Sequence, residues 1–385
     1  MLFQSSLRLI RLLALLISLT IINAFPVTTQ LASRASSCAD VNGTFVINEQ
    51  GLYPENANFD AASCQLYLSV VYNASVAVYD PYLGNMTVIE FANITRNPEF
   101  HIDGAVASPY TSTIFILANA AAAFTTQGQD VSGTNMLLQL DPVSRNEISR
   151  VNLTETTQGA YGGFQDLEFD MRGNVYVLGT FPGSIVRVEP EANNGTGVNV
   201  VEWWKVDTPT TTNGMAGLAT FRNSNVLLAN DNAGTTNSSL VKFDMTQAKG
   251  TPVPIPISNN RTIAGSDAMR LPVKYNGTVL LVAVDVAGIE VLRSKDGTWD
   301  NAEGLGLVSN NVSAAMGGSV TNTVEIGNRI LMVEEFFADG PNGGNRTQFP
   351  FVDITDEVDR LVIVDPSFVD RSRLEKEQRS IFKGF

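Results

Sequence analysis

The residues with the most chemistry to offer are one histidine and a scatter of acids. His101 is the only histidine in the chain, with Asp103 two residues on, and Asp166 and Glu168 form a second acidic pair. An imidazole at its ordinary pKa of about 6.5 would serve as general acid or base. Carboxyl groups would do the same if partial burial raised their pKa. A Ser-His-Asp triad would have to use His101, and no Gly-x-Ser-x-Gly elbow accompanies it. A further set, Asn119, Thr180, Asn230, Asp231, Asp285 and Glu334, closes short apolar runs. It offers oxygen atoms to a bound small molecule or to a hard cation such as Ca²⁺. The same residue types also cap strands and satisfy loop backbone. Phosphate loops, dinucleotide fingerprints and H-E-x-x-H are absent, so no organic cofactor is expected.

These residues are far apart in sequence, so a repeating scaffold must gather them. Helical periodicity is nearly absent before the tail. A short Gly-bearing strand, a turn, a β-branched run and a strand closing in Asp-Pro recur instead. Residues 163–190 show the unit most fully, and the closing pairs include Asp80-Pro81, Asp141-Pro142 and Asp365-Pro366, the last ending a strand at 360–366. Gly104, Gly163, Gly214, Gly265 and Gly317 mark the opening strands at steps of 59, 51, 51 and 52, the longer first step holding an insertion at 120–134. A period of roughly 40–50 residues with about four strands per unit is the signature of propeller blades. Alternation at period two gives each sheet two faces to bury against neighbours. The expected fold is an all-β, six-bladed β-propeller over residues 64–370, with opening strands lining a channel whose mouth collects the polar residues above. A β-sandwich would not explain the near-equal steps. Residues 25–63 form an N-terminal segment whose strand at 44–47 is placed to complete the last blade, and 371–385 form a charged tail. A Gly/Asn-rich loop at 339–348, flanked by Phe336-Phe337 and Phe349-Pro350-Phe351, would lid the mouth with aromatic surface, blade core being the competing use of those rings.

The net charge of −14 excludes nucleic acid and anionic membrane surfaces as partners. Arg8 and Arg11 precede an apolar run at 12–22, and Ala24 ends a signal peptide at 1–24. That run falls short of the roughly 18 residues needed to cross a bilayer, and no later stretch reaches that length, so no membrane span is expected after cleavage. Eleven N-x-S/T sequons begin at Asn42, Asn73, Asn85, Asn93, Asn152, Asn194, Asn237, Asn260, Asn276, Asn311 and Asn345; occupied ones must lie on exposed loops. The only cysteines, Cys38 and Cys64, are 26 residues apart. In an oxidising lumen they suit a disulfide worth on the order of 3 kcal/mol, the alternative being one buried and one free thiol. The chain reads as a glycoprotein secreted or held in the lumen of secretory vesicles.

Tyr161-Gly162-Gly163-Phe164-Gln165-Asp166-Leu167-Glu168, continuing through Gly173-Asn174-Val175-Tyr176-Val177 to Gly179-Thr180-Phe181-Pro182-Gly183-Ser184-Ile185, resembles the fungal family around the fourteenth protein of the core trichothecene gene cluster. Leu52-Tyr53-Pro54-Glu55 and Leu228-Ala229-Asn230-Asp231-Asn232 carry the same likeness. The resemblance implies a place in a sesquiterpenoid mycotoxin pathway, or in the virulence of a plant pathogen toward a host target. More distantly the blades are similar to the six-bladed senescence-marker, gluconolactonase and strictosidine-synthase superfamily, which implies a metal or a catalytic acid at the channel mouth. The lactonase Asn-Gly-Leu motif is replaced here by Met215-Ala216-Gly217-Leu218, and no Glu-Gly-Pro-type opening strand is evident. These departures weigh against a metal-dependent lactonase. The expectations are a catalyst that closes an ether ring in a small, apolar, oxygenated sesquiterpenoid using His101, Asp103, Asp166 and Glu168, a propeller that binds such a molecule without changing it, or, third, a metal-dependent lactonase-like hydrolase.

Overall fold

Short runs of β-branched and aromatic residues broken by turns give strands too short to stand alone, and they pair into sheets that must bury both faces. The computed structural model describes residues 38–189, 198–235, 238–258, 261–340 and 343–363. The expected signal peptide, the tail at 371–385 and the sequons at Asn194, Asn237 and Asn260 lie outside them. The described residues form six four-stranded antiparallel sheets. Their innermost strands, taken as blades 1 to 6, are Pro54–Asp60, Phe100–Ala107, Gly162–Phe169, Leu218–Thr220, Ser266–Arg270 and Ser319–Ile326. Each neighbours the next around a ring, and that of blade 6 returns to that of blade 1. The chain is a six-bladed β-propeller. Its core lies between blades: Leu66, Leu68 and Ala77 of blade 1 pack with Val324, Leu331 and Val333 of blade 6, and Leu117 and Leu137 of blade 2 with Phe164 and Val177 of blade 3.

The ring is closed by the N-terminal part of the chain. Phe45–Asn48 is the outermost strand of blade 6, pairing antiparallel with Gln348–Asp353 in the register Phe45↔Phe351 and Ile47↔Phe349. The Phe45 ring stacks on Phe351 at 5.1 Å and lies 5.9 Å from Tyr79 of blade 1. Cys38 and Cys64 form a disulfide. It fastens the segment leading into this strand to the first hairpin of blade 1, while Asp40 accepts hydrogen bonds from the Asn328 turn of blade 6.

Two boundaries differ from the sequence expectation. The propeller begins before residue 64, because blade 1 opens with Pro54–Asp60, which carries no glycine to align with Gly104. The described part of the run at 360–366 does not close blade 6 as a strand; Thr355–Ile363 is an α-helix. Asp353 Oδ1 accepts from the Thr355 N–H at 2.9 Å, and Asp356 and Glu357 place negative charge in the first turn, where the helix dipole favours it. Val358, Leu361 and Val362 then meet the core of blades 5 and 6, and the outer strand position is already taken by Phe45–Asn48.

Eight sequon asparagines fall in described residues. Asn42, Asn73, Asn85, Asn93, Asn276, Asn311 and Asn345 are exposed, and Asn152 is half-buried. No helix among the described residues is long and apolar enough to cross a membrane.

Candidate functional site

The inner strands do not run straight past the mouth of the channel. In five of the six the pairing with the second strand slips, at Pro54/Ala57, Ile102/Gly104, Phe164/Asp166, Ser266/Met269 and Val320/Asn322. A bulge re-aims the extra residue's side chain. The residues at the slips include Glu55, Asp103, Gln165 and Asp267, and all four line one cavity of about 490 Å³. In blade 6 the slipped residue, Thr321, instead donates its hydroxyl to the Glu55 carbonyl.

The rest of the wall sets aromatic side chains among polar ones such as Asn213, Asn232 and Ser266. Val71 and Tyr72 come from blade 1, Phe181 from the end of the second strand of blade 3, and Phe337 from the loop after blade 6's second strand. The insertion at 120–134 folds over as a short helix, Ala121–Thr125, and sets Phe124 against Phe181 with ring centroids 5.5 Å apart. Gly163 is required beneath this pair: its φ is +70°, and a Cβ there would come within 2.7 Å of the Phe181 ring. Of the aromatics expected to lid the mouth, Phe336, Phe349 and Phe351 are blade core, and only Phe337 reaches the cavity.

Asp103 and His101 line the cavity; Asp166 and Glu168 do not. Asp166 accepts the N–H groups of Leu167 and Leu218 at 2.8 and 2.7 Å, tying blade 3 to blade 4. Glu168 lies farther along the channel toward Arg270, whose Nε donates to the Thr323 carbonyl at 2.6 Å. The register slips make Gln165, not Asp166, the counterpart of Asp103. Of the expected ligand-binding set, Thr180 and Asp285 line the cavity. Asn119, Thr180 and Asn230 are clamps between blades, donating across to the carbonyls of Phe164, Met215 and Asp267 at 2.9, 2.8 and 2.8 Å. Asp231 is buried, accepting from Thr235, and Glu334 is buried beside Asn310. Glu55 was missed as a site residue, although it stands 48 positions before Asp103, close to the repeat length.

The cavity floor is acidic but not negatively charged at neutral pH throughout. Burial pushes Asp103 up to about 7, against the hydrogen bond that Asn119 Nδ2 donates to it. Burial raises Glu55 well above the usual carboxylate range, helped by repulsion from Asp267, Asp103, Asp166 and Glu335. Asp267 is raised in the same way, by burial and then by Asp285, Asp166 and Asp103. One Glu55 oxygen has no hydrogen-bond partner. Like charges this close cannot all ionise, so the floor offers protonated carboxyl groups. Burial lowers His101 to about 4, which makes it a neutral donor and acceptor rather than the general acid its ordinary pKa suggested. Among the described residues no three Asp, Glu, His or Cys groups converge to hold a metal ion.

No family model matches the chain. A Trichoderma arundinaceum protein named "Trichothecene biosynthesis protein 14" is 34% identical over 340 residues, spanning 83% of this chain and 90% of its own. The chain belongs to the trichothecene biosynthesis protein 14 family. A second relative, "Core trichothecene cluster (CTC) protein 14" of Fusarium sporotrichioides, is 29% identical over 84% of this chain and 87% of its own. Stretches that carry the family likeness supply Glu55, Gln165, Thr180, Phe181 and Asn232 to the cavity. Among solved structures, the Malassezia sympodialis allergen Mala s 1 superposes with a TM-score of 0.66 at 20% identity, over 82% of this chain and 96% of its own. A gluconolactonase from Xanthomonas campestris gives 0.52 at 13%, over 84% and 92%. At these identities both speak for the propeller fold alone.

Proposed function

We propose that this protein works in trichothecene biosynthesis, binding an oxygenated sesquiterpenoid at the propeller mouth and closing an ether ring in it with loss of water. The observation that carries this reading is a wall of aromatic side chains standing over a floor of buried, proton-bearing carboxyl groups. Cavities of about 300–1,000 Å³ suit small ligands, and a 15-carbon skeleton would meet the aromatic wall with its hydrocarbon face. Asp103 gives its proton to a hydroxyl of the substrate, the C–O bond breaks, and water leaves. A second hydroxyl of the same molecule attacks the electron-deficient carbon, and its proton returns to the Asp103 carboxylate. Oxidation state and net proton count are unchanged.

The test is to incubate purified protein with hydroxylated sesquiterpenoids from a producing fungus and follow them by mass spectrometry. The expected product is lighter by one water and has lost two hydroxyls. Saturable binding without that change would make the protein a carrier, and absence of both would remove the site.

The disulfide and the exposed sequon asparagines support passage through the secretory lumen. Protein made in the native fungus should run faster on a gel after treatment with an N-glycan-removing enzyme. Unchanged mobility would count against that route.

A further inference from the structure

A second cavity of about 490 Å³ opens at the rim of blade 2 and shares His101 and Thr125 with the main one. Its other walls are the 98–100 segment, the start of the Ala121–Thr125 helix and the end of the insertion at 130–134. The two spaces are thus divided by two side chains. The character of the second differs from that of the first: it has no aromatic wall comparable to Phe124, Phe181 and Phe337, and it carries Glu99, Asp130, Ser132 and Thr134. Asp130 is engaged by Ser132, whose N–H and hydroxyl donate to it at 3.0 and 2.7 Å. The Glu99 carboxylate, the Thr134 hydroxyl and the His101 imidazole make no hydrogen bond to protein among the described residues.

We propose that this second cavity is a subsite of the first, taking a free hydroxyl-bearing arm of the bound molecule past His101. The inference rests on the main cavity holding an oxygenated small molecule. Two carboxylates in the subsite accept hydrogen bonds and repel anions, so the arm must donate. A free hydroxyl satisfies Glu99, whereas an acylated one brings only acceptors against a carboxylate and leaves it unpaired. The subsite therefore selects free alcohols over their esters. His101, as a neutral imidazole at the junction, bonds to the ligand where the arm leaves the ring system.

The experiment measures binding of a sesquiterpene polyol and its acetylated counterpart to the full-length protein and two variants by calorimetry. Ala122→Trp fills the subsite from a helix position outside the main cavity's lining, meeting that cavity only at the shared His101 and Thr125, and Glu99→Ala removes the acceptor at an exposed position that leaves folding intact. The wild type is expected to prefer the polyol. Each variant should weaken polyol binding by roughly tenfold, the size of one hydrogen bond to a charged group, and leave the ester nearly unchanged. Unaltered polyol affinity in Ala122→Trp overturns the subsite, with the main cavity still standing. Failure of the wild type to bind either probe removes the underlying reading, and the subsite with it.

Discussion

Replacing Asp103 by Asn is expected to cut turnover of the sesquiterpenoid by roughly 10²- to 10⁴-fold, the range for loss of a positioned general acid, with binding little changed. The substitution is conservative in shape. Asn119 Nδ2, which donates to Asp103, would meet the amide oxygen of the new side chain, so the contact between the first two strands of blade 2 survives. What disappears is a proton that can be given away. In the wild type this proton is held up to a pH of about 7, so the rate should fall as pH rises through that value, and the variant should show no such limb. A rate within tenfold of wild type, measured by mass spectrometry at pH 6, would remove Asp103 from the acid's role. Glu55→Gln would then be the next variant, since Glu55 is a buried acid of the cavity lining with one oxygen that no protein group engages.

The second large effect concerns stability. Burial pushes Asp103 and Asp166 up to about 7 and Glu168 and Glu335 up to about 8. In the unfolded chain such carboxyls titrate at about 4. Below that pH they are protonated in both states and their full contribution is present. As pH rises, the unfolded chain ionises freely while the folded chain must either hold its protons or bury charge. Stability therefore falls between about pH 4 and 8, opposite to the usual behaviour of surface carboxylates in ion pairs. Each pH unit separating folded and unfolded pKa values is worth about 1.4 kcal/mol per group. Raising the pH from 5 to 8 should lower the melting temperature by at least about 5 °C. Glu335→Gln should reduce the slope, because Glu335 is fully buried and neither of its oxygens meets a donor in hydrogen-bonding geometry, the Tyr72 hydroxyl and the Phe336 N–H lying nearby. A melting temperature that is flat or rises over this interval would contradict protonation of these buried carboxyl groups.

The blade count was legible because each blade repeats a local pattern of turn, apolar run and polar end, and local patterns survive in sequence. The site was legible only in part, because its geometry depends on where each inner strand slips against its neighbour. Asp103 and Asp166 are both acids of glycine-bearing opening strands, yet one is the extra residue of a bulge and the other lies just past one. That difference sends the first into the cavity and the second into two backbone N–H groups. Asn119 and Asn230 look like ligands in one dimension and prove to be clamps, since the carbonyls they reach belong to the following blade, about 40 residues on. The apolar wall was hidden for a similar reason: Phe124 lies in the insertion of one blade and Phe181 in the next, and only folding joins them. Residues 360–363 read as the start of a strand because Leu361, Val362 and Ile363 form an apolar, partly β-branched run, yet they are the last turn of the helix Thr355–Ile363.

The closing strand has a consequence for how the molecule is made. Phe45–Asn48 is synthesised before every other strand of the blades, but its partner Gln348–Asp353 is the last of them, with Asn48 paired to Gln348 across 300 positions. Until the ribosome delivers that partner, the early strand is an unpaired edge, and its eventual search would be a loop closure over nearly the whole polypeptide. The Cys38–Cys64 bond needs only the first hairpin of blade 1. Once oxidised, it moors the waiting strand to the blade that will stand next to its partner, so the final annealing is a local event. Reduction after assembly should be tolerated better than reduction during synthesis, because the bond's greatest service is to the nascent chain.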